Sequence, residues 1–299
     1  MSKVICKIPR AGLGNQLFPI MRAYTFAHLN QLAVLVYNYH QVKVGPWLRR
    51  EKTKRNYRGF FAFEKNITGE LFDRIRISRI DKTTFIYEPS LKRITGNQHN
   101  KNFIFSEIPD YRHYFDGLQE NRELVLSLFW ELVSPRIKRR LKKLRSPCIS
   151  VHIRMGDFKV AAEGVAFGTV GHTRSPEEYF IEMILAIRKM HGACLPVSVF
   201  TDGRKEELKK LFQLENIYMV EGNNDLTDLL LLSKSKIIIT SAGSTFSYWA
   251  AFLSDAMVIM HPTYEGIKIR PEKMKDKVYE GALHRGNERI FNAIRAIKI

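Results

Sequence analysis

The chain has 299 residues, 45% of them hydrophobic and 26% charged, and its 48 Lys and Arg outnumber 30 Asp and Glu to give a formal net charge of +18. These values are typical of a folded globular protein and argue against a disordered or membrane-embedded chain. The positive charge favours an anionic partner, such as a nucleotide phosphate, a nucleic acid or an acidic membrane surface, without choosing among them.

The cysteine pattern and the absence of long apolar stretches give expectations about the compartment. Cys6, Cys148 and Cys194 are odd in number and far apart, which argues against a disulfide framework or a zinc site. The sequence contains no stretch of about 18 apolar residues, so no membrane span is predicted. Residues 1–10 do not resemble a signal peptide. We therefore expect a cytoplasmic protein in a reducing compartment.

The first half of the chain opens with a βαβ pattern and then becomes less regular. Residues 3–8 predict a strand, 15–31 a helix and 32–38 a second buried strand. Residues 41–102 show weak periodicity, which predicts loops and short elements. A helical pattern returns over 115–145, interrupted near its middle by proline, and it ends in a strongly basic connector.

The second half alternates short apolar strands with amphipathic helices. The predicted strands are 148–154, 195–202, 217–222, 236–242 and 256–262, and the predicted helices are 175–192, 203–215, 225–235 and 244–254. This alternation indicates a parallel sheet covered on both faces. We predict an α/β protein of two Rossmann-like domains, 1–140 and 141–299, that face each other across a cleft. Ligands of such sheets bind at the carboxyl ends of the strands.

A glycine-containing turn, GLGNQLF, joins the first strand to the first helix. Gly12 and Gly14 allow close backbone approach, and a helix N-terminus offers free amides to an anion. A dinucleotide fingerprint would need glycine where Leu17 stands and an acidic residue at the end of the second strand, and both are missing. An anion site and a plain tight turn remain the alternatives.

The stretch VHIRMGDF ends the first strand of the second half. His152 and Arg154 are two residues apart, so they share one face of the strand. A guanidinium at a strand end suits a phosphate. Asp157 follows within the turn, and a purely structural Arg–Asp pair is the alternative interpretation.

Two further strand ends carry polar groups. TSAGSTF offers hydroxyls and backbone amides at the start of a helix, where Ser244 could bind an anion or only cap the helix. Asp228 lies near the start of an otherwise apolar helix. Its carboxylate could accept the N1 and N2 hydrogens of a guanine, or it could only complement the helix dipole.

The sequence has no Asp-x-Asp pair and no His and carboxylate cluster with metal-ligand spacing. A nucleotide-sugar enzyme without such a pair must neutralise its leaving diphosphate with arginine, lysine and helix ends. We therefore expect no metal and no other cofactor.

Together these motifs resemble the α-1,2-fucosyltransferases of glycosyltransferase family 11. The stretches that carry the resemblance are GLGNQLF (12–18), VHIRMGDF (151–158), SPEEYF (175–180), DLLLLSKSK (228–236) and STFSYWAA (244–251). The resemblance implies a GT-B fold, GDP-β-L-fucose as donor, and inversion to an α-linked product without a required metal. The implied acceptor is a galactoside at the end of a glycan or glycolipid.

The resemblance also implies roles for individual residues in donor binding. Arg154 would hold the β-phosphate, His152 would contact the nucleotide, and Asp228 would recognise guanine. The residues that would contact phosphate and base are Ser244, Thr245 and Phe246, and those that would face the donor from the first domain are Gly14 and Asn15.

Two positions depart from the family pattern, which usually has a second arginine at Met155 and often a tryptophan at Tyr248. Because neighbours on a strand alternate, we expect Met155 to point away from the face of Arg154. The loss of the arginine then affects a supporting ion pair rather than the phosphate contact.

The predicted reaction is an in-line displacement at the anomeric carbon, in which Arg154 stabilises the departing diphosphate. The candidate catalytic carboxylates are Asp157 and Glu163, and Asp157 could instead be structural. Residues 287–299 are amphipathic and basic, which suits either weak peripheral contact with a membrane or a helix that packs back on its domain.

Other functions remain open at this stage. The net charge would suit a nucleic-acid-binding protein, but no recognition module is present, and we expect no nucleic-acid partner. An NAD-dependent oxidoreductase conflicts with Leu17. A fucosyltransferase of other linkage or donor, or a non-catalytic nucleotide-sugar-binding relative, would share these motifs.

Overall fold

The computed structural model describes residues 2–41, 48, 57–65, 67–95, 100–159, 173–264, 266–284 and 287–298. The chain divides into two compact units. The first takes in residues 1–43 and 55–139, and the second takes in 44–54 and 140–299. Each unit is built on its own parallel sheet with helices, so the predicted α/β class is confirmed.

The sheet of the first unit has four strands. They are β1 (Lys3–Lys7), β2 (Ala33–Tyr37), β3 (Phe85–Tyr87) and β4 (Asn102–Phe105). Their order is β2-β1-β4-β3, and every pairing is parallel. The predicted βαβ opening is confirmed, since β1 pairs with β2 from Lys3 opposite Ala33 to Lys7 opposite Tyr37.

Among the residues that the structure describes, four helices belong to the first unit or join it to the second. They are α1 (Leu13–Asn30), α2 (Ile67–Ser78), α3 (Arg122–Leu132) and α4 (Pro135–Lys142). Helix α1 is mostly buried, with Phe18 stacked 5.0 Å from the ring of Tyr114. The predicted interruption at Pro135 is confirmed, because α3 ends before it and α4 begins on it.

The region 41–102, predicted as loops and short elements, contains a full helix, α2, besides β3. Helix α2 inverts the usual pattern: Leu71 and Phe72 are exposed, whereas Glu70 and Asp73 are buried. Glu70 accepts a hydrogen bond from the backbone N–H of Asn38 at 2.7 Å, and Asp73 pairs with a lysine. A search for apolar residues at helical spacing on one buried face fails for such a helix.

The second unit holds a six-stranded parallel sheet. Its strands are β5 (Ile149–Ile153), β6 (Val197–Thr201), β7 (Ile217–Met219), β8 (Ile237–Ile239), β9 (Met257–Ile259) and β10 (Glu280–Gly281). The order is β10-β9-β8-β5-β6-β7. This is the doubly wound Rossmann order, and its direction of winding reverses between β5 and β8.

The helices of the second unit agree with the sequence except at one segment. They are α5 (Glu177–His191), α6 (Asp225–Leu232), α7 (Thr245–Phe252) and α8 (Glu288–Arg295). The helix predicted over 203–215 is wrong, since two short 3-10 turns stand there. Side chains satisfy the backbone instead of a helical ladder: Glu207 accepts from the N–H of Arg204 at 2.9 Å, and Glu177 accepts from that of Leu211 at 2.7 Å.

The C-terminal helix α8 packs back on the second unit. Ile290 and Ile294 are buried in the same core cluster as α5, so this apolar face is occupied by the protein itself. Of the two interpretations of this segment, the structure favours packing over membrane contact. In the part of the chain that is described, no helix combines the length and apolar character needed to span a membrane.

Candidate active site

The predicted side chains of the second unit lie where the sheet changes its direction of winding. His152 is on β5 and Arg154 follows it, while Ser244 comes after the neighbouring strand β8. In doubly wound sheets, the carboxyl ends of the two strands at this reversal form the ligand-binding crevice. The fold therefore brings these residues together at the expected position.

The ends of β5 and β8 are tied to each other by Ser241. The backbone N–H of Arg154 donates to the Ser241 hydroxyl at 2.8 Å, and that hydroxyl donates to the carbonyl oxygen of His152 at 2.8 Å. Ser241 is almost fully buried. This two-way hydrogen bond fixes the direction in which the chain leaves β5.

The Arg154 guanidinium is held between two carboxylates. Its Nη1 pairs with Asp202, and its Nη2 lies 2.5 Å from Oδ1 of Asp157. The Phe158 ring centroid is 5.7 Å from the guanidinium carbon. The side chain is still 19% exposed. Arg154 is thus a preorganised cation at a strand end, with part of its surface open to a ligand.

Asp202 is the residue of this site that the sequence analysis missed. It follows β6, is 10% exposed, and accepts backbone N–H bonds from Met155 at 2.8 Å and Gly156 at 3.1 Å. One carboxylate therefore shapes the turn after β5 and also pairs with Arg154. The available signal was an acidic residue directly after a buried strand, at the sheet edge where ligands bind.

Met155 points away from Arg154, as predicted. Its side chain belongs to the hydrophobic core of the second unit, and a Cβ on Gly203 would collide with its sulfur. The family's second arginine is therefore replaced here by an apolar core residue.

Arg174 braces the same turn from outside. Its Nε donates to the carbonyl oxygens of Met155 at 3.0 Å and Phe158 at 2.8 Å, and its Nη1 lies 3.2 Å from Glu207. Arg174, just before α5, thus holds the turn that follows Arg154.

His152 is buried and neutral. Burial lowers the pKa of His152 to about 3, Asp202 opposes this effect, and the charge of Arg154 adds to it. The imidazole Nδ1 lies 3.5 Å from the Ser244 hydroxyl, and the ring stacks on Phe246 with centroids 4.8 Å apart. His152 therefore acts at neutral pH as a hydrogen-bonding and stacking group rather than a cation.

Ser244 occupies the N-cap position of α7, and Thr245 begins that helix. Its hydroxyl makes no capping bond to the helix amides and lies instead near His152. The preceding Gly243 has φ +66, and its N–H donates to the hydroxyl of Tyr248 at 2.9 Å. Tyr248 thus holds the turn that leads into α7.

Asp228 lies on another helix at the same edge of the sheet. It is in the first turn of α6 and accepts a hydrogen bond from the side-chain amide of Asn223 at 3.0 Å. The Asn223 oxygen accepts in turn from Nε and Nη2 of Arg140, both at 3.1 Å. This chain of contacts orients the carboxylate of Asp228.

The remaining predicted residues lie elsewhere. Gly14 and Asn15 are in the first turn of α1 in the first unit, where Gly14 is buried and Asn15 half-buried. Asp157 is largely exposed and engaged by Arg154. Glu163 lies outside the described residues. Among the residues that are described, no group of three His, Cys, Asp or Glu could hold a metal ion.

Comparisons with known proteins add the family. The model of one protein family, described as Glycosyl transferase family 11, matches residues 4–277. No curated protein sequence matches the chain.

Solved structures of NodZ, an α-1,6-fucosyltransferase, resemble the fold. The fucosyltransferase NodZ from Bradyrhizobium is 14% identical, with a TM-score of 0.55 over 87% of this chain and 96% of that one. NodZ co-crystallised with GDP is 15% identical, with a TM-score of 0.55 over 87% of this chain and 95% of that one. NodZ soaked with GDP-fucose is 13% identical, with a TM-score of 0.51 over 87% of this chain and 95% of that one. At these identities the likeness shows the fold, and the predicted GT-B type is confirmed, while the cleft stays a prediction.

Proposed function

The chain belongs to glycosyl transferase family 11, and on this premise we propose that it transfers L-fucose from GDP-β-L-fucose to O2 of a galactoside, forming an α-1,2 linkage with inversion. The family match supports glycosyl transfer. The motifs shared with α-1,2-fucosyltransferases support the donor and the linkage. NodZ, which has the same fold, has been co-crystallised with GDP and soaked with GDP-fucose.

The observation that carries this proposal is the Arg154 guanidinium, held by Asp202 and Asp157 at the reversal point of the sheet. A guanidinium fork matches two oxygens of a phosphate. The charge of Asp202 is shared with two backbone N–H groups, and the N-terminus of α7 adds partial positive charge nearby. The site is suited to an anion that gains charge during reaction.

In the proposed mechanism, an acceptor hydroxyl attacks the anomeric carbon as the bond to the β-phosphate oxygen breaks. Negative charge grows on the departing GDP, and Arg154 stabilises it without having to reorganise. His152 and Phe246 would form one wall for the nucleotide, and Asp228 would accept hydrogens from guanine. The neutral state of His152 fits stacking and hydrogen bonding there.

A base must take up the proton of the acceptor hydroxyl, and the predicted candidates are the carboxylates of Asp157 and Glu163. The contact of Asp157 with Arg154 at 2.5 Å favours a structural role for Asp157, in which its carboxylate holds the guanidinium. Glu163 stays a prediction. Stabilised departure of GDP reduces the demand on a base, because the attacking hydroxyl becomes acidic as its bond forms.

We further propose that transfer needs no metal ion, since Arg154 and the α7 amides supply the charge that a cation would provide. Turnover that persists in excess EDTA would support this part of the proposal. Turnover that EDTA abolishes and Mg²⁺ or Mn²⁺ restores would overturn it.

The test of function is a donor and acceptor screen with product analysis. The protein is incubated with GDP-fucose, GDP-mannose or UDP-galactose and with galactose-terminated oligosaccharides, and the new linkage is assigned by NMR. We expect fucose on O2 of galactose. Transfer to a different hydroxyl would overturn the linkage but keep the donor. GDP-fucose that neither binds nor reacts would overturn the whole proposal.

A further inference from the structure

Apart from Arg140, which contacts Asn223, the basic connector at residues 136–145, RIKRRLKKLR, has no part in the proposed reaction. Seven of these ten residues are Lys or Arg, and none is acidic. The stretch also contains no aromatic residue and no Ser, Thr, Asn or Gln. Such a concentration of one charge accounts for a large share of the chain's net charge and calls for a physical explanation.

In the structure this stretch forms α4 and the turn after it. Ile137 and Leu141 are one helical turn apart and are 1% and 2% exposed, so they anchor one side of the helix in the protein. Of the seven basic side chains, Lys138 is half-buried and the other six are exposed. We call these residues the basic face: Arg136, Arg139, Arg140, Lys142, Lys143 and Arg145.

The charges of the basic face are not neutralised by carboxylates in the described part of the chain. Elsewhere on the surface, exposed cations do find acids: Arg74 lies 2.7 Å from Glu70, and Lys210 lies 2.6 Å from Glu178. On the basic face, Arg140 donates to the neutral amide oxygen of Asn223, which leaves its charge in place.

The arrangement repels itself unless an anion is near. Arg136 and Arg140 are four residues apart on the helix and Arg139 and Lys142 are three apart, and like charges that are neighbours on a helix destabilise it. A negatively charged surface would offset these repulsions, because it attracts each of the basic side chains. The basic face therefore favours a partner with many anionic groups spread over an area.

We propose that the basic face docks on an anionic lipid surface. Clusters of four to eight Lys and Arg on a helix fit the phosphate headgroups of such a surface, which need no directional readout. A nucleic acid is the weaker fit, because the stretch lacks aromatic side chains to stack on bases and amide or hydroxyl groups to read them. The inference rests on the charges of α4, so it stands whether or not the proposed donor is right.

Vesicle binding tests this surface. The full chain is sedimented with vesicles of phosphatidylcholine alone or with added phosphatidylglycerol, at several salt concentrations. We expect binding only to the anionic vesicles, weakening as salt rises. The variant R136E/R139E/K143E should bind at least about 100-fold more weakly, since each charge near an anionic surface contributes several-fold. Arg140 is left unchanged because it contacts Asn223.

The matched control is R79E/K82E/K101E, which removes the same charge from exposed positions of the first unit. It should bind anionic vesicles within about 5-fold of the unaltered chain, the residual effect coming from net charge alone. Thermal unfolding checks that both variants are folded. Both should keep GDP-fucose turnover on a soluble acceptor, if the proposed function holds.

Three outcomes would overturn the docking proposal. One is equal loss of binding in the two triple variants, which would indicate net charge only. Another is equal binding to neutral vesicles. The third is a folded chain that binds duplex DNA through the basic face but does not bind anionic vesicles. Absence of fucose transfer with intact vesicle binding would overturn only the proposed reaction.

Discussion

The carboxyl edges of the two sheets are built from the same strand–turn–helix units but carry different groups. In the second unit, the turns after β5 and β6 place Arg154 against Asp202 and Asp157. In the first unit, the turn between β1 and α1 is closed by neutral groups. The N–H of Leu13 donates to the hydroxyl of Tyr57 at 2.9 Å, and the Gln16 side chain donates to the Pro9 carbonyl at 3.1 Å.

The two turns differ in how their polar groups are paired. Withdrawing a guanidinium and a carboxylate from water is costly unless each is paired and hydrogen-bonded. At Arg154 the second unit meets that requirement with two acids and two backbone amides. In the first unit, the hydrogen bonds that close the β1–α1 turn join neutral groups, while the charged pair of that sheet edge, Arg22 with Glu88, lies after β3. We therefore expect substitutions at Arg154 and its partners to act mainly on turnover, and those at the neutral contacts of the β1–α1 turn to act mainly on stability.

The largest effect is expected from Arg154→Ala. Loss of one preorganised group that stabilises developing charge commonly lowers kcat by about 10²–10³. The measurement is steady-state turnover of GDP-fucose with a galactoside acceptor, together with thermal unfolding to verify the fold.

Arg204→Ala is the matched control, since Arg204 is an exposed arginine two residues after Asp202. Its turnover should stay within about 2-fold of the unaltered protein, because exposed surface substitutions have small effects. Similar losses in the two variants, or near-normal turnover in Arg154→Ala, would remove Arg154 from the role proposed for it.

The next largest effect is expected at Asp202. Asp202→Asn keeps an oxygen for the N–H groups of Met155 and Gly156 but removes the charge that pairs with Arg154. We expect kcat to fall by about 10- to 100-fold, since a partner of a partly buried charge pair contributes about 1.5–3 kcal/mol. Asp202→Ala should add a loss of unfolding free energy, measured in urea.

Asp157→Asn provides the comparison, because this carboxylate is 38% exposed where Asp202 is 10% exposed. Ion pairs open to solvent contribute about 1 kcal/mol or less. A larger loss of turnover in Asp157→Asn than in Asp202→Asn would reverse this assignment and would make Asp157 the candidate base.

Much of the second unit could be predicted because its strands are short, apolar and separated by amphipathic helices. That pattern fixes a parallel sheet, and the sheet fixes which edge binds ligands. Residues placed directly at strand ends, such as Arg154, therefore fell at the right edge. Asp202 has the same placement, but a single acidic residue before glycine is also an ordinary turn residue, and only the fold shows that it faces Arg154.

The rest could not be predicted because local pattern and tertiary environment disagree. Helix α2 buries Glu70 and Asp73, whose partners come from other parts of the chain, so its apolar residues lie on the exposed side. Residues 203–215 have helical periodicity, yet side-chain contacts with Glu177 and Glu207 replace the helix. Periodicity records burial of apolar groups and contains no information about such polar partners.

A pH-dependent effect on stability is expected from His152. Its pKa of about 3 in the fold lies below the ordinary value of 6.5, so between these pH values the unfolded chain binds a proton that the folded chain does not. Stability should therefore fall as pH drops through this range, by up to about 1.4 kcal/mol per pH unit from this group. Urea unfolding at pH 7, 6 and 5 measures it.

The variant His152→Gln removes the titrating group and keeps a side chain that can hydrogen-bond near Ser244. Its unfolding free energy should decline less steeply between pH 7 and 5, while other acidic groups affect both proteins equally. Identical slopes in the two proteins would show that His152 keeps an ordinary pKa, and would undo its description as a neutral wall of the site.

The smallest effect is expected at the neutral contacts of the β1–α1 turn, from Tyr57→Phe. Gly12 at the N-cap of α1 has no side chain, so Tyr57 supplies the oxygen that the first amide of the helix needs. Loss of a capping oxygen costs about 1 kcal/mol, and kcat should change by less than about 2-fold because the lost hydrogen bond joins two neutral groups. Tyr87→Phe, at an exposed tyrosine of β3, should leave stability unchanged. A large loss of turnover with little loss of stability in Tyr57→Phe would contradict the division between the two edges, because the neutral turn would then take part in the reaction.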